Sequence, residues 1–329
     1  VVGTADGLNG VTTSNGAVTV TAATSDLTLA QDISAGSGTV TLTATTGAVT
    51  ETTGKVTAAT GNLLVQAANS SSLVNANDVA KLAANITGAG QGISYTDANA
   101  LAVDTVGAVN GVTTSGGVVT VTTTSGSLDI NQNVAAGAAA VNLTAGGAGS
   151  VLTNAAAVTG NAATLSADDM VLAGGTINTG AGRVILQEVT ATRAIDLGTN
   201  TAGQLGLTSG EINTITTTGV LQVGNATAGA INVSAAIAPT GATKLDLESG
   251  STVGGASTIT TTDLAIRSVG AVSLNAANNV TNLAANVSGA GNAFSYNDAN
   301  ALVVGTADGL NGVTTSGGVV TVTTTSGSL

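Results

Sequence analysis

Apolar residues recur along this chain as short alternating pairs, not as helical stripes. Val18/Val20, Leu27/Leu29, Val40/Leu42 and Leu63/Val65, with Val49 before the last pair, are flanked by Thr, Ser, Asn, Asp or Gly. Each reads inward, outward, inward over about five residues, the signature of a half-buried strand. Successive pairs are spaced by 9, 13, 9 and 14 residues, and the pattern returns at Val119/Val121, Leu128/Ile130, Val141/Leu143 and Val151 with steps of 9, 13 and 10. Two strands and two turns therefore take about 22 residues. Val184/Leu186, Ile195/Leu197, Leu205/Leu207, Leu221/Val223, Ile231/Val233 and Leu245/Leu247 keep the motif at looser spacing. The best helical candidate is Asn75–Ala84, but its counterpart Asn275–Ala285 carries paired Asn and Val, so both are expected to be loops or strand edges. Pro239 falls in the turn Ala238-Pro239-Thr240-Gly241, where a missing donor costs nothing.

A larger repeat encloses the small one. Residues 1–14 recur unchanged as 303–316, and residues 110–128 recur unchanged as 311–329. SYTDANALAV at 94–103 matches SYNDANALVV at 295–304, and LAANITGAG at 82–90 matches LAANVSGAG at 283–291. The offsets of 302 and 201 imply a unit of about a hundred residues, with related segments 1–27, 82–128 and 283–329 and one diverged copy. Because the chain ends inside a motif with which it begins, residues 1–329 are expected to be one continuous window of a longer array. The first residues show no charged segment, no apolar segment and no initiator Met, as in a mature or excised piece.

Propeller blades need four strands and about twice this period, and sandwiches do not repeat at one coil per 22 residues. A parallel β-solenoid (β-helix) fits: each coil lays its strands over those of the previous coil, about 4.8 Å away. At about 22 residues per coil the chain is expected to make fifteen coils, a rod of roughly 70 Å.

Composition agrees with a thin interior. The chain has 46 Gly, 1 Pro, 2 Tyr, 1 Phe, 1 Met and no Trp, Cys or His, so Val, Leu, Ile and Ala must fill the core. Without His or Cys there is no Ser-His-Asp or Cys-His triad and no zinc site of the usual kind. A mean hydropathy of +0.43 with 7% charged residues argues against disorder. The net charge of −12 is spread thinly, and Lys55, Lys81, Arg183, Arg193, Lys244 and Arg267 form no basic block, so nucleic acid is not an expected partner. No apolar run approaches the ~18 residues of a membrane span.

The phrase Asp97-Ala98-Asn99-Ala100-Leu101, followed by Asn110-Gly111-Val112-Thr113-Thr114-Ser115-Gly116-Gly117-Val118-Val119-Thr120-Val121-Thr122, resembles the β-strand-repeat exoproteins of the filamentous haemagglutinin type. The texture of the whole chain is similar to arrays in very large bacterial surface proteins of that kind. This resemblance implies a right-handed parallel β-helix, export from a Gram-negative cell, and a role in adhesion, biofilm or cell-surface structure. It carries over no binding residue, because rod segments of that family share no site motif.

Four groups of residues are candidates for chemistry. Asp168 and Asp169 are adjacent, and Asp246 and Glu248 lie two apart on one strand, the residue types a carbohydrate-active β-helix would use. The plainer expectation is solvated turns and strand faces, with Lys244 and Arg193 pairing locally with Asp246 and Asp196. Thr4-Ala5-Asp6-Gly7-Leu8-Asn9-Gly10, repeated at Thr306–Gly312, has oxygens at turn spacing for a calcium ion, but an Asx-turn or corner is the favoured expectation. Thr19/Thr21, Thr41/Thr43, Thr120/Thr122 and Thr321/Thr323 have the Thr-x-Thr spacing of ice-binding solenoids, but Thr28, Asn142, Asp196, Asn232 and Asp246 interrupt the rows, and Thr is an ordinary strand former. Tyr95 and Tyr296, with Phe294 beside the second, occupy equivalent places and are expected to plug a wider coil or a loop, or to contact a neighbouring rod. Asn-x-Ser/Thr triplets at Asn69, Asn85, Asn142, Asn225, Asn232, Asn279 and Asn286 are expected by chance in such a composition.

The sequence therefore points to a non-enzymatic structural rod of a secreted or cell-surface protein, with no catalytic, cofactor or metal residues assigned. Its expected partners are neighbouring repeats, and then other copies of itself in a fibre or sheath, a host surface or a polysaccharide. A carbohydrate-active enzyme and an ice-binding solenoid are the alternatives. With no His, stability is expected to be nearly flat between about pH 6 and 8.

Overall fold

In the computed structural model, which describes residues 1–329, the alternating pairs become rungs of parallel ladders. The chain is 57% strand and 1% helix, a β-solenoid of about 14 turns spaced roughly 22 residues apart. The shortfall from fifteen comes from unequal coils. Val18 lies beside Val40 at the basic period, but Val184 lies beside Leu221, while Leu245 and Leu264 lie beside Leu264 and Leu283 in shortened coils. The fold divides into two compact units, residues 1–163 with 174–176, and residues 164–173 with 177–329.

In the first unit, Val18, Val40, Leu63 and Leu82 stack in register, and Val20, Leu42, Val65 and Ala84 stack beside them. Most of these side chains are wholly buried, and each buried Val or Leu contributes about 2 kcal/mol against the ordering entropy of its strand. In the second unit Val184, Leu221, Leu245, Leu264 and Leu283 form one ladder, and Leu186, Val223, Leu247, Ile266 and Ala285 its neighbour. Alternation sends Asp246 and Glu248 to the outer face on either side of inward Leu247.

The aromatics plug the interior. Tyr95 is buried between Leu73 and Val121, Tyr296 between Leu274 and Val322, and Phe294 stacks on Tyr296 with ring centroids 6.4 Å apart. Their rungs lie beside a register shift. Leu73 pairs with Tyr95, but the next pair is Asn77 with Asp97, so the lower strand carries three residues where the upper carries one. This bulge corrects the expectation of loops or strand edges at Asn75–Ala84 and Asn275–Ala285. Both lie inside long strands, Ser71–Ala89 and Val272–Val287, because side chains keep the backbone bonded through the bulge.

Those side chains are the Asn and Asp of the repeated phrase. Asn77 accepts from the Val56 amide (2.7 Å) and donates to the Leu73 and Thr96 carbonyls. Asp97 accepts from the Val79 amide (3.1 Å), the Asn99 amide (3.0 Å) and the Tyr95 hydroxyl (2.8 Å). Asn278, Tyr296 and Asp298 repeat this arrangement in the second unit.

The phrase expected to be an Asx-turn or corner is a β-hairpin, found three times. Thr4–Ala5 pairs with Leu8–Asn9, Thr105–Val106 with Val109–Asn110, and Thr306–Ala307 with Leu310–Asn311. Positive φ at both central residues, 49° and 78° at Asp6 and Gly7 and 43° and 78° at Asp308 and Gly309, gives the turn whose twist suits two short strands. Midway between the second and third hairpins the diverged copy has none. Leu205–Thr208 there adds to Ile195–Gly198, which also pairs with Ile231–Val233, so the sheet gains a rung within one long coil. A four-residue helix, Ser209–Ile212, follows, started by a capping box between Thr208 and Glu211.

Candidate functional site

The acidic residues were the sequence's best source of chemistry, and the fold commits them to structural bonds. Asp168 is wholly buried, accepting from the Thr190 amide (2.8 Å) and hydroxyl (2.7 Å), with the Arg193 guanidinium at 3.5 Å. Asp169 bonds the Met170 amide (2.9 Å), so the adjacent pair does not act on one point. The expected pair of Arg193 with Asp196 does not form. Asp196 instead accepts from the hydroxyls of Thr199 and Thr201, and although burial works to raise it, its hydroxyl bonds hold it below the usual carboxylate range.

The most structured polar patch covers the outer sheet face of the second unit. Ladder pairing places Gln222, Asp246, Ala265 and Ala284 in one row and Gly224, Glu248, Arg267 and Asn286 in the next. Arg267 bonds Asp246 diagonally, and Arg183 lies 3.6 Å from the same carboxylate, replacing the expected pair with Lys244, which is exposed. Arg183 also donates to Gln222 (2.8 Å), and Gln222 donates to Glu248 (2.8 Å). Asp246 is only 1% exposed and one of its oxygens has no partner. Burial raises its pKa to about 7, with Asp308 adding to the rise and Arg267 and Arg183 opposing it.

The third hairpin closes over this patch. Ala307 and Leu310 pack on Ala265 and Ala284, and the Asp308 carboxylate reaches Arg183 at 2.5 Å and Arg267 at 3.0 Å. Burial alone would raise Asp308, but the two guanidiniums and Asp246 hold it low. The second hairpin uses the same apolar device without the charge. Val106 and Val109 pack on Leu64 and Ala83, and Gly107 stands where the third hairpin has Asp308. The nearby ion pair, Lys81 with Asp104 at 2.8 Å, precedes the hairpin and does not involve its tip.

Two carboxyls, one buried and one half-buried, escaped sequence reasoning. Glu188, in phase with inward Val184 and Leu186, is 4% exposed with neither oxygen bonded, and burial followed by the charges of Asp168 and Glu248 raises it. Glu51 accepts from the Asn75 amide (2.8 Å), and burial raises it to about 7. Asp97 is raised to about 6, again by burial. The expectation of flat stability between pH 6 and 8 is therefore corrected: burial has moved carboxyl groups into the window that histidine would have occupied. The visible signal was phase alone, an acid at an inward position of the alternation.

The hydroxyl rows also differ from expectation. Thr28, Thr50, Ser72, Ser94, Thr120 and Asn142 form one unbroken outward ladder in the first unit, so Thr28 and Asn142 extend the row they were expected to interrupt. A second row, Thr96, Thr122 and Thr144, flanks part of it. The Thr19/Thr41 row instead runs into Leu64 and Ala83 under the second hairpin.

The surface grooves bring no reactive set together. One groove of about 530 Å³ is lined by Ala191, Thr192, residues 226–230, Gly250 and Ser251. A smaller one of about 180 Å³ contains Glu248, Arg267 and Asn286. No three acidic side chains converge as metal ligands, and no helix is long and apolar enough to cross a membrane. No family model, curated protein or solved structure matches this chain.

Proposed function

We propose that this chain is a non-enzymatic structural segment of a large secreted or cell-surface protein, serving as the stalk of an adhesin or as part of an extracellular fibre or sheath. One observation carries the reading. The carboxylates that sequence singled out for catalysis serve the fold: Asp168 holds Thr190 and Arg193, and Asp246 holds Arg267 and Arg183 beneath a hairpin. Retaining glycosidases need two carboxyl groups about 5 Å apart on either side of an accessible bond, and a carboxylate covered by guanidinium and hairpin does not offer that. A ladder interior with few reactive side chains suits a spacer whose task is to hold its form outside the cell.

Antibody labelling of intact producing cells tests the location, with ruptured cells as the comparison. Label on intact cells, removed by external protease, is the expected result. Label confined to ruptured cells overturns the surface assignment, and polysaccharide turnover abolished by Asp168→Asn or Asp246→Asn overturns the non-enzymatic one.

The six-rung ladder, five hydroxyls and the Asn142 amide, favours ice binding as a second reading, since regular outward oxygens can order water. Thermal hysteresis that disappears in Thr120→Lys supports it, and freezing behaviour indistinguishable from that of serum albumin removes it.

A further inference from the structure

The third hairpin, Thr306–Ala307 with Leu310–Asn311, is fixed at its base by backbone bonds and along its length by side-chain contacts. At the base the Gly305 amide donates to the Leu283 carbonyl (3.0 Å) and the Ala285 amide to the Gly312 carbonyl (2.9 Å). Between those points the two short strands pair only with each other. Ala307 and Leu310 rest on Ala265 and Ala284, and at the tip Asp308 accepts from Arg183 and Arg267 through its carboxylate and from Arg267 through its carbonyl (2.5 Å). An element anchored at two points and closed by a few side chains opens without disturbing the ladders beneath it.

The tip shares its partners with a second acid. Asp246 and Asp308 both accept from the same Arg267 nitrogen, Nη1, which stands 3.0 Å from Asp308. Arg183 is divided in the same way, 3.6 Å from Asp246 and 2.5 Å from Asp308. The other Asp246 oxygen is buried without a partner, so the charge of an ionised Asp246 is offset only by guanidiniums that Asp308 also uses. The groups around Asp246 are Lys244 and Glu248 on its own strand, Gln222 and Arg183 on the preceding coils, Asp263 and Arg267 on the following strand, and Asp308 on the hairpin. Gln222 donates to Glu248 (2.8 Å), Asn282 donates to Asp263 (2.7 Å) and Lys244 is exposed, which leaves the two arginines and Asp308 as the charges that bear on Asp246.

We propose that the Thr306–Asn311 hairpin is a proton-operated cover over this sheet face, closed on Arg183 and Arg267 when Asp246 is protonated and loosened when Asp246 is ionised. Protonated, Asp246 donates to the Asp308 carboxylate and leaves both guanidiniums to it. Ionised, it competes for the same guanidiniums, and the two like charges repel. Closing strips water from Asp246 and brings Asp308 over it, and both effects favour the protonated acid. The closed form therefore binds the proton more tightly, and closing is favoured as pH falls. Burial, with Asp308 assisting and Arg267 and Arg183 opposing, puts the Asp246 transition at about 7. Opening uncovers Ala265 and Ala284 and frees both guanidiniums, so pH decides whether this face is apolar and cationic or covered. The second hairpin is the natural contrast. Val106 and Val109 lie on Leu64 and Ala83, but Gly107 stands in place of Asp308 and Thr41 in place of Asp246.

The test uses the absence of cysteine from the chain. Ala284→Cys and Ala83→Cys each place one thiol at a wholly buried position beneath a hairpin, the third and the second respectively. Labelling by iodoacetamide, divided at each pH by the rate of a free cysteine peptide, reads how often each cover opens. The corrected rate at position 284 should rise about tenfold between about pH 6 and pH 8.5, and that at position 83 should stay within about twofold. Asp246→Asn keeps a donor facing Asp308 and removes the charge, so with Ala284→Cys it should hold the rate near its value at the acid end throughout. An equal trend at the two positions, or a trend at position 284 that survives Asp246→Asn, overturns the proposal. Hydrogen exchange of the unaltered chain gives a second measurement that needs no substitution. Protection of residues 306–311, corrected for intrinsic exchange, should fall about tenfold over the same range while that of residues 105–110 does not, and constant protection of residues 306–311 overturns the proposal.

Discussion

Asp97 carries a pH dependence that a chain without histidine should not otherwise show. Its carboxylate is wholly buried and accepts from the Val79 amide, the Asn99 amide and the Tyr95 hydroxyl, yet burial outweighs these bonds and raises its pKa from 3.8 to about 6. A raised carboxyl pKa means that the folded chain binds a proton more tightly than the unfolded chain. The associated stability is complete below pH 3.8 and is lost as pH rises through about 6. The shift of roughly two units corresponds to about 3 kcal/mol between pH 4 and pH 8. Asp97→Asn removes this titration. The variant leaves its amide nitrogen facing the Val79 N–H, a loss of about 1–2 kcal/mol at every pH, so the informative quantity is the change of the difference with pH. Relative to the unaltered chain, Asp97→Asn should improve by about 3 kcal/mol from pH 4 to pH 8, read from urea midpoints by circular dichroism at half-unit intervals. Stability curves that run parallel across that range would refute the assignment of the buried charge to Asp97.

Glu51, raised to about 7 by burial, has the same sign, so Glu51→Gln should flatten the decline in stability between pH 5 and 8 by on the order of 1–2 kcal/mol, discounted for its partial exposure. Leu42→Ala, in the middle of the ladder between Val20 and Val65, should cost about 2–5 kcal/mol in chemical denaturation, whereas the outward Thr41→Ala should cost under about 0.5 kcal/mol. Gly111 has φ of 68°, and a Cβ there would lie 2.1 Å from the Asn133 carbonyl oxygen. Gly111→Val should therefore open the neighbouring amides to hydrogen exchange, and an unchanged exchange pattern would count against that close approach. Glu211→Ala removes the acceptor of the Leu172 amide (3.1 Å) as well as the Glu211 half of the capping box, its bond from the Thr208 amide (2.9 Å), and a loss of about 2 kcal/mol or more is expected in the same denaturation assay.

The ladders were legible because alternation with a period of two states both strand and facing, and the recurring spacing states that strands lie on their own successors. Val18, Val40 and Leu63 could be stacked on paper for that reason. The burial of Tyr95 and Tyr296 was legible too, since a large ring at an inward phase must plug the interior. The polar network was not. Whether Asp246 meets Lys244 or Arg267 depends on which rows coil length brings together, and one shortened coil places Arg267 diagonal to Asp246. The hairpins illustrate the same limit. Asp6-Gly7 and Asp308-Gly309 contain the residues of a tight hairpin turn, but the flanking strands are two residues each, too short for alternation to register. At Asn75–Ala84 the composition suggested irregular chain, whereas Asn77 and Asp97 supply side-chain oxygens where the backbone loses step.

The matching of segments 82–128 and 283–329, together with the ladder contacts, bears on how such a chain changes length over generations. Unequal recombination between the two coding segments deletes or duplicates 201 residues in one event. The coil on either side of the new junction still meets its accustomed neighbour: Tyr95 or Tyr296 over a leucine, Asp97 or Asp298 beneath its amides. Where the exchange falls beyond the hairpin, within the identical segments 110–128 and 311–329, length can therefore vary in large steps while each local interface stays the one already selected, and the gene can lengthen or shorten its product without first solving a new packing problem.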